Sequence, residues 1–261
     1  VYSLHDEIKQ YFRDCAAHFG LTDHIQFNTE VDRADYNDES GLWTITTKGG
    51  ESIDSRVLVS GLGQLNVPFT PEFEGVDTFA GDSFHSARWN HDIDLTGKKV
   101  AIIGNAASAL QFIPHVAETA EQVHVYQRSA NYVVPRNDRA YTASEQQRFA
   151  RFPWLQRLHR LGVFLRGEIM YGAIANKKFF QWLLAKDAKK YLEEHITDPE
   201  LRQKLTPDYA IGCKRILVSD NYYQAMARPN LDVVTKSIQS ITPAGVQTED
   251  GEVLDADVLI Y

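Results

Sequence analysis

The chain has 261 residues, 43% of them hydrophobic and 24% charged, with a formal net charge of −8. These values are typical of a packed globular protein and argue against a disordered or fibrous one. The negative balance argues against broad binding to nucleic acid or to anionic membranes, and no apolar run approaches the roughly 18 residues of a membrane span. The two cysteines, Cys15 and Cys213, form no CxxC pair. They exclude a disulfide framework and a cysteine metal site, so we expect a cytoplasmic protein without a metal.

The first part of the chain predicts one helix and a few short strands. The helix begins at a Ser3 cap, places its apolar residues on one face from Leu4 to Phe19, and ends at Gly20. The predicted strands cover Ile25–Asn28, Leu42–Thr47 and Arg56–Ser60, with a turn at Gly49-Gly50. Glycines and prolines between residues 61 and 75 predict a linker and a domain boundary. The ends of the chain, without an initiator Met and inside an apparent strand, favour a fragment.

The clearest element is a strand at 98–104 that leads into a helix near Ala106, followed by a second strand at 123–127. A strand that ends in glycine before a helix is a typical phosphate-binding turn, because the helix N-terminus offers unpaired N–H groups. Six consecutive residues form this GxGxxG/A-like turn: Gly104, Asn105, Ala106, Ala107, Ser108 and Ala109. Ala106 stands at the second glycine position, where its methyl group crowds a pyrophosphate. The alternative is a purely structural turn without a ligand.

The end of the second strand favours NADP as the dinucleotide. An NAD site has an Asp or Glu about 20 residues after the glycine turn. This chain has Gln127, Arg128 and Ser129 instead, and a guanidinium with a neighbouring hydroxyl suits a 2′-phosphate. The alternative is a solvated arginine at the end of a strand.

Residues 142–205 have a helical pattern. Thr142 and Glu145 form a capping box, and Asp198-Pro199 begins a later helix. One stretch is rich in large apolar residues: Phe149, Phe152, Trp154, Leu155, Leu158, Leu161, Phe164 and Leu165. Three interpretations stay open, namely packing against the nucleotide domain, a lid over an apolar substrate, and a membrane-surface helix. Strands are predicted again at 216–218, 231–234 and 257–261, with a hairpin at 245–251.

A fixed pattern precedes the glycine turn. Phe79, Gly81, His85 and Trp89 fit FxGxxxHxxxW, and the pattern resembles the fingerprint of type I Baeyer–Villiger monooxygenases. Related flavin-containing monooxygenases are similar but usually lack the Trp. Asn90 follows here, where the family often has Pro or Asp. We interpret Phe79, Gly81 and Trp89 as packing and turn residues, and His85 as a structural residue rather than a general acid. In the family the fingerprint lies on an interdomain linker.

The resemblance extends over nearly the whole chain. Residues 212–215, 220–223 and 228–230 resemble a second signature region of the family, and 61–68 resemble the linker that leaves its flavin domain. The family's N-terminal FAD-binding GxGxxG does not occur in this sequence. The resemblance implies an α/β fold with a partial FAD-binding domain (1–64), a Rossmann-like NADP-binding domain (65–141 and 206–261) and a helical insertion (142–205).

The resemblance also implies a function. In the family, NADPH reduces FAD, and O2 then provides the oxygen atom that converts a ketone to an ester or lactone. It implies that Arg215 is the catalytic residue, a permanent cation beside an anionic oxygen species, and that Lys214 binds the 2′-phosphate. A small apolar ketone or aromatic compound is the expected substrate. Two alternatives remain, an N- or S-oxygenating monooxygenase and a nucleotide-binding module without activity. We expect the isolated chain to be inactive and colourless and to bind NADPH weakly.

Overall fold

The computed structural model describes residues 3–63, 65, 67–175 and 177–261. The chain divides into two compact units, Val1–Val67 and Pro68–Tyr261. The boundary falls within the predicted linker.

The described residues of the first unit form one α-helix and a small antiparallel sheet. Helix α1 spans His5–His18, and strands β1 (Val31–Asn37), β2 (Leu42–Thr47) and β3 (Ser52–Ser55) pair in chain order. Gly50 has a φ of 85° and forms the turn between β2 and β3. The helix, β2 and this turn confirm the sequence prediction.

Three local predictions for this unit are wrong. Residue Leu4, not Ser3, occupies the N-cap of α1, and no side chain caps the helix. Residues 25–28 form no strand and instead follow a short 3-10 helix at Leu21–His24. Residues 56–60 also form no strand, because no described strand lies beside them, and Val57 and Val59 are 71% and 84% exposed.

A parallel five-stranded sheet is the centre of the second unit. Its strands are β4 (Asp82–Phe84), β5 (Lys99–Ile103), β6 (Gln122–Tyr126), β9 (Leu231–Val234) and β13 (Val258–Ile260). Their order across the sheet is β4-β13-β5-β6-β9. Helix α2 (Ala107–Thr119) connects β5 to β6, so that the two strands pair in parallel from Lys99 opposite Gln122 to Ile103 opposite Tyr126. This is a Rossmann-like arrangement, as predicted.

The hydrophobic core lies on both faces of this sheet. On one face, alternate residues of β5 and β6 pack against α2, where Ile113 is completely buried. On the other face, Ala101 and Leu259 pack against an antiparallel three-stranded sheet. That sheet consists of β10 (Ile238–Thr242), β11 (Gly245–Thr248) and β12 (Val253–Asp255). Burial on two faces explains the continuous apolar pattern of the parallel strands.

The described residues of the predicted helical segment form four α-helices: α3 (Ala143–Arg151), α4 (Pro153–Ile174), α5 (Lys178–His195) and α6 (Pro199–Lys204). The Thr142 capping box and the Asp198 cap are both present. Helix α5 packs on the core through Tyr191 and Leu192. In contrast, Leu155 of α4 is half-buried, but the other large apolar residues of the predicted stretch that lie on α4 are exposed: Trp154, Leu158, Leu161, Phe164 and Leu165. Packing against the nucleotide domain therefore does not account for most of this apolar stretch. No described helix has both the length and the apolar character needed to span a bilayer.

A short pair of strands and a short helix also belong to the second unit. Strands β7 (Val133–Val134) and β8 (Leu217–Val218) pair in parallel, and helix α7 (Tyr222–Met226) is buried beside α2. The β7–β8 pair joins the segment after β6 to the segment around residue 215. It therefore places residues that are distant in sequence near the end of β6.

Candidate functional site

The glycine turn lies where β5 ends. Gly104 has a φ of 109°, a conformation that favours glycine, and Ala106 is the N-cap of α2. No side chain caps this helix, and Gly104, Ala106 and Ser108 are exposed. The first intrahelical hydrogen bond runs from the N–H of Leu110 to the carbonyl of Ala106, so the preceding N–H groups have no partner within the helix. An exposed, uncapped helix N-terminus is a suitable site for an anion.

The last residue of the motif has a different environment. Ala109 is 6% exposed and belongs to the core between α2 and the sheet. A small residue at this position allows close packing of helix and strand. Ala109 therefore contributes to the turn through packing, not through an exposed surface.

A network of side-chain amides holds the turn against the end of β6. The Nδ2 of Asn105 donates to Oε1 of Gln127 at 2.8 Å and to the carbonyl of Ser129 at 3.1 Å. Nδ2 of Asn131 donates to the carbonyl of Asn105 at 2.9 Å. Gln127 is only 3% exposed, and its Nε2 donates to the carbonyl of Lys204 at 2.7 Å. Both ends of the Gln127 amide therefore make hydrogen bonds within the protein.

Lys214 joins Ser129 across 85 residues of sequence, with its Nζ 2.7 Å from the hydroxyl oxygen. The same ammonium lies 4.4 Å from the centre of the Tyr209 ring, a cation–π contact. Tyr132 donates from its hydroxyl to the carbonyl of Tyr209 at 2.9 Å, which holds this segment against the chain that follows β6. Partial burial raises the pKa of both tyrosines, so both hydroxyl groups stay protonated at physiological pH. The structure thus brings Lys214 to the predicted basic end of β6.

A cleft of about 390 Å³ opens beside this basic end. Residues from the end of β6, the end of α6 and the segment after β9 line it: Gln127, Arg128, Ser129, Ala130, Gln203, Lys204, Thr206, Asp208 and Thr235. The volume lies within the range of small-ligand sites. Sequence reasoning found the β6 side of this cleft and missed the α6 side. Lys204 is the last residue of α6 and Asp208 follows that helix. Neither residue belongs to a sequence motif, so only the tertiary structure places them at the cleft.

Arg215, the predicted catalytic residue, is exposed and follows Lys214 directly. Among the described residues it makes no hydrogen bond or ion pair with another side chain. Its guanidinium is therefore free to interact with a ligand, while its neighbour is held at Ser129.

The fingerprint residues lie on and around β4, an edge strand of the parallel sheet, rather than on a linker. β4 pairs in parallel with β13, and β13 and β5 separate it from β6. A Cβ atom on Gly81 would lie 2.2 Å from the carbonyl oxygen of Asp257, closer than real atoms approach. Phe79 packs on the core between the two sheets. These residues therefore shape the sheet edge.

The remaining fingerprint residues have structural contacts as well. Nδ1 of His85 accepts a hydrogen bond from the N–H of Ala87 at 3.0 Å and caps a short 3-10 helix at Ser86–Arg88. The Trp89 ring makes edge-to-face contacts with Phe84 at 5.1 Å and with Phe112 of α2 at 5.3 Å. Trp89 thus packs the end of the fingerprint on the helix that begins at the glycine turn.

The parallel sheet, the crossover helix and the glycine turn define a Rossmann-like α/β protein of the dinucleotide-binding class. The sequence pattern of the flavin-binding monooxygenase-like family matches residues 1–260. The chain belongs to this family.

Individual relatives support this assignment. The chain is 36% identical to a Baeyer–Villiger monooxygenase of Pseudomonas aeruginosa and 37% identical to one of Streptomyces coelicolor, in both cases over 100% of this chain and 50% of the relative. It is similar to the crystal structure of OTEMO in complex with FAD and NADP, with a TM-score of 0.83 and 29% identity over 99% of this chain and 56% of that chain. The chain spans about half the length of the curated relatives that it matches.

Proposed function

We propose that this chain contributes the NADPH-binding part of a flavin-dependent monooxygenase that carries out Baeyer–Villiger oxidation. The observation that carries the proposal is the Lys214–Ser129 contact of 2.7 Å beside Arg128. These groups lie at the end of β6, where a dinucleotide on the α2 turn would place its adenosine ribose. Two cations and a hydroxyl at this position suit a 2′-phosphate, which NADPH has and NADH lacks.

The turn between β5 and α2 fits the pyrophosphate of the same cofactor. The exposed N–H groups at the start of α2 have no side-chain cap, and a bound diphosphate would satisfy them. Asn105 is braced by Gln127 and Asn131, which keeps the turn in one conformation before the ligand arrives. In this proposal Asn105 and Gln127 position the turn, and Ala107 and Ser108 offer the backbone groups.

FAD requires a separate site. The described residues of the first unit form α1 and an antiparallel sheet, and they contain no glycine turn between a strand and a helix. We therefore assign no residue of this chain to the FAD phosphates. The cofactor assignment for the complete gene product rests on relatives, one of which was crystallised with FAD and NADP.

The overall reaction balances with the proposed components. One atom of O2 enters the bond between the carbonyl carbon and a neighbouring carbon of the ketone, and the other atom leaves as water. NADPH supplies a hydride, and a proton from solvent completes the water. Arg215 is the residue we assign to the stabilisation of negative charge in this reaction, because it is exposed, permanently charged and adjacent to the cofactor-binding Lys214.

A small apolar ketone or aromatic compound and O2 remain the proposed substrates, and the cytoplasmic location remains a prediction. The names of the relatives support the reaction class, since both curated relatives are Baeyer–Villiger monooxygenases.

Product analysis tests the proposal against its nearest alternative. The complete gene product would be incubated with NADPH, O2 and either a phenyl ketone or a phenyl thioether. We expect an ester from the ketone, with NADPH oxidised in preference to NADH. Sulfoxide from the thioether without any ester would favour an N- or S-oxygenating monooxygenase and refute the Baeyer–Villiger assignment. Absence of NADPH binding would refute the cofactor assignment as well.

A further inference from the structure

The end of helix α6 lines the basic cleft together with Arg128 and Ser129. We propose that Lys204, the last residue of α6, is a third cation of the 2′-phosphate site and a determinant of NADPH selectivity. We further propose that Gln127 positions it. Both inferences rest on the proposed NADPH-binding function and extend it to residues outside the glycine turn and the basic end of β6.

The backbone of Lys204 is held by a hydrogen bond from Gln127, a residue that also contacts the glycine turn. Nε2 of the buried Gln127 donates to its carbonyl at 2.7 Å, and Oε1 of the same amide accepts from Asn105 at 2.8 Å. One amide therefore connects the glycine turn to the end of α6. Because the amide is buried, both of its hydrogen bonds must be kept, and the distance between the two segments is held constant.

The other side of α6 is braced as well. The guanidinium of Arg202 donates to the carbonyl of Ile196 from Nε at 3.0 Å and from Nη2 at 2.7 Å. Asp198 caps the start of the helix by accepting from the N–H groups of Glu200 and Leu201. A helix of six residues is thus held at both ends. Lys204 is presented to the cleft from a fixed backbone, which lowers the entropy lost when its ammonium binds an anion.

The charges around the cleft match a phosphate monoester. Arg128 and Lys204 line it together with one carboxylate, Asp208, and Lys214 adds a further cation through Ser129. Three cations and one carboxylate leave two positive charges. A phosphate monoester carries about −1.5 to −2 at neutral pH. Without Lys204, the Asp208 carboxylate would cancel one of the two remaining cations, and the preference for a 2′-phosphate would weaken.

Calorimetric titration of two small probes isolates the 2′-phosphate. The complete gene product would be titrated with 2′,5′-ADP and with 5′-AMP, which lacks the second phosphate. Lys204→Met should weaken binding of 2′,5′-ADP by about fivefold, a value discounted for the solvent exposure of the lysine. Binding of 5′-AMP should change by less than about twofold, and Lys204→Arg should retain most of the preference. The matched control is Lys190→Met, on α5 and outside the lining of the cleft.

The outcomes separate this inference from the proposed function. If the wild-type protein binds both probes equally, the 2′-phosphate site itself is wrong. If the wild-type protein prefers 2′,5′-ADP and Arg128→Ala abolishes the preference, but Lys204→Met behaves as Lys190→Met does, only the role of Lys204 is refuted.

A double-mutant cycle tests the positioning role of Gln127. Gln127→Met removes the hydrogen bond to Lys204 and should lower the preference for 2′,5′-ADP over 5′-AMP. Combined with Lys204→Met it should cause little further loss, since the two residues act through the same contact. Fully additive losses would contradict a role through Lys204. If Gln127 had only a structural role, Gln127→Met would weaken the binding of both probes by the same factor and leave the ratio of their affinities unchanged.

Discussion

Gly81 offers a sharp test of the fold at the fingerprint. A Cβ atom at this position would lie 2.2 Å from the Asp257 carbonyl oxygen, 2.9 Å from its carbonyl carbon and 2.8 Å from Cζ of Phe79. Two of these atoms belong to the backbone and cannot rotate away. The N–H of Asp82 donates to the same Asp257 oxygen at 3.1 Å, so any shift that relieves the clash also strains the β4–β13 pairing.

Gly81→Ala should therefore destabilise the second unit by about 3 kcal/mol, the upper end of the cost of overpacking. For a unit of this size the midpoint of thermal unfolding should fall by about 6 to 12 °C. The matched control is Gly162→Ala in α4, where a Cβ meets nothing within 4 Å. Alanine should stabilise that exposed helix by up to about 1 kcal/mol.

Circular dichroism would give the midpoints of both variants. Hydrogen exchange would report directly on the amides that join β4 to the β13 segment. Faster exchange at Asp82 and Tyr261 in Gly81→Ala would locate the damage at the strand pairing. A midpoint within about 1 °C of the wild type would mean that β4 does not approach Asp257 as closely as described. The structural account of the fingerprint would then be wrong.

Three further predictions concern the site and its scaffold. Lys214→Met should raise the KM for NADPH about tenfold and leave that for NADH nearly unchanged, as steady-state kinetics with both cofactors would show; equal effects would argue against a phosphate contact. Arg215→Ala should lower kcat for ester formation by about a hundredfold while NADPH binding persists, and an unchanged kcat would remove Arg215 from the reaction. Burial lowers the pKa of His124, outweighing the Asp232 carboxylate, so the free energy of unfolding should decrease as the pH falls below the ordinary value of 6.5. Urea titrations of the wild type and His124→Gln between pH 7 and 5 would give the free energy of unfolding at each pH. An equal decrease of this free energy with pH in both proteins would refute the prediction.

The direction of that pH effect follows from proton binding. A histidine whose pKa is lowered in the folded state takes up its proton more readily in the unfolded chain. Below the unfolded pKa of 6.5 the unfolded state binds more protons, so acid favours unfolding until the folded histidine is protonated as well. His124 is 8% exposed, and its Nδ1 lies 3.6 Å from Oδ2 of Asp232, too far for a hydrogen bond.

The sequence predicts the parallel core well, for a physical reason. β5, the glycine turn, α2 and β6 follow one another along the chain and also contact one another, so local hydrophobic patterns are sufficient. The strand predicted at 56–60 is wrong because an apolar run becomes a strand only when another strand pairs with it. β1 was missed for the converse reason. Its sequence, with four charged or amide residues of seven, is weakly patterned, and its pairing with β2 determines its conformation.

The site could be predicted only in part. Arg128 and Ser129 follow a recognisable strand, so their position was accessible from the sequence alone. Lys214 reaches Ser129 across 85 residues, and only the family resemblance indicated that contact. Lys204 has no motif, and a buried amide contact with Gln127 places it at the cleft. Contacts of this kind depend on the packing of distant segments, which periodicity does not encode.

Labelling with ¹⁸O2 shows whether an oxygen atom of O2 enters the product. The complete gene product would be incubated with NADPH, a cyclic ketone such as cyclohexanone and ¹⁸O2, and the product would be analysed by mass spectrometry. If the protein carries out Baeyer–Villiger oxidation, we expect a lactone that carries one ¹⁸O atom in the ring, with one NADPH oxidised for each lactone formed and a strong preference for NADPH over NADH. Oxidation of NADPH without a labelled lactone, across a panel of cyclic, linear and aryl ketones, would contradict it.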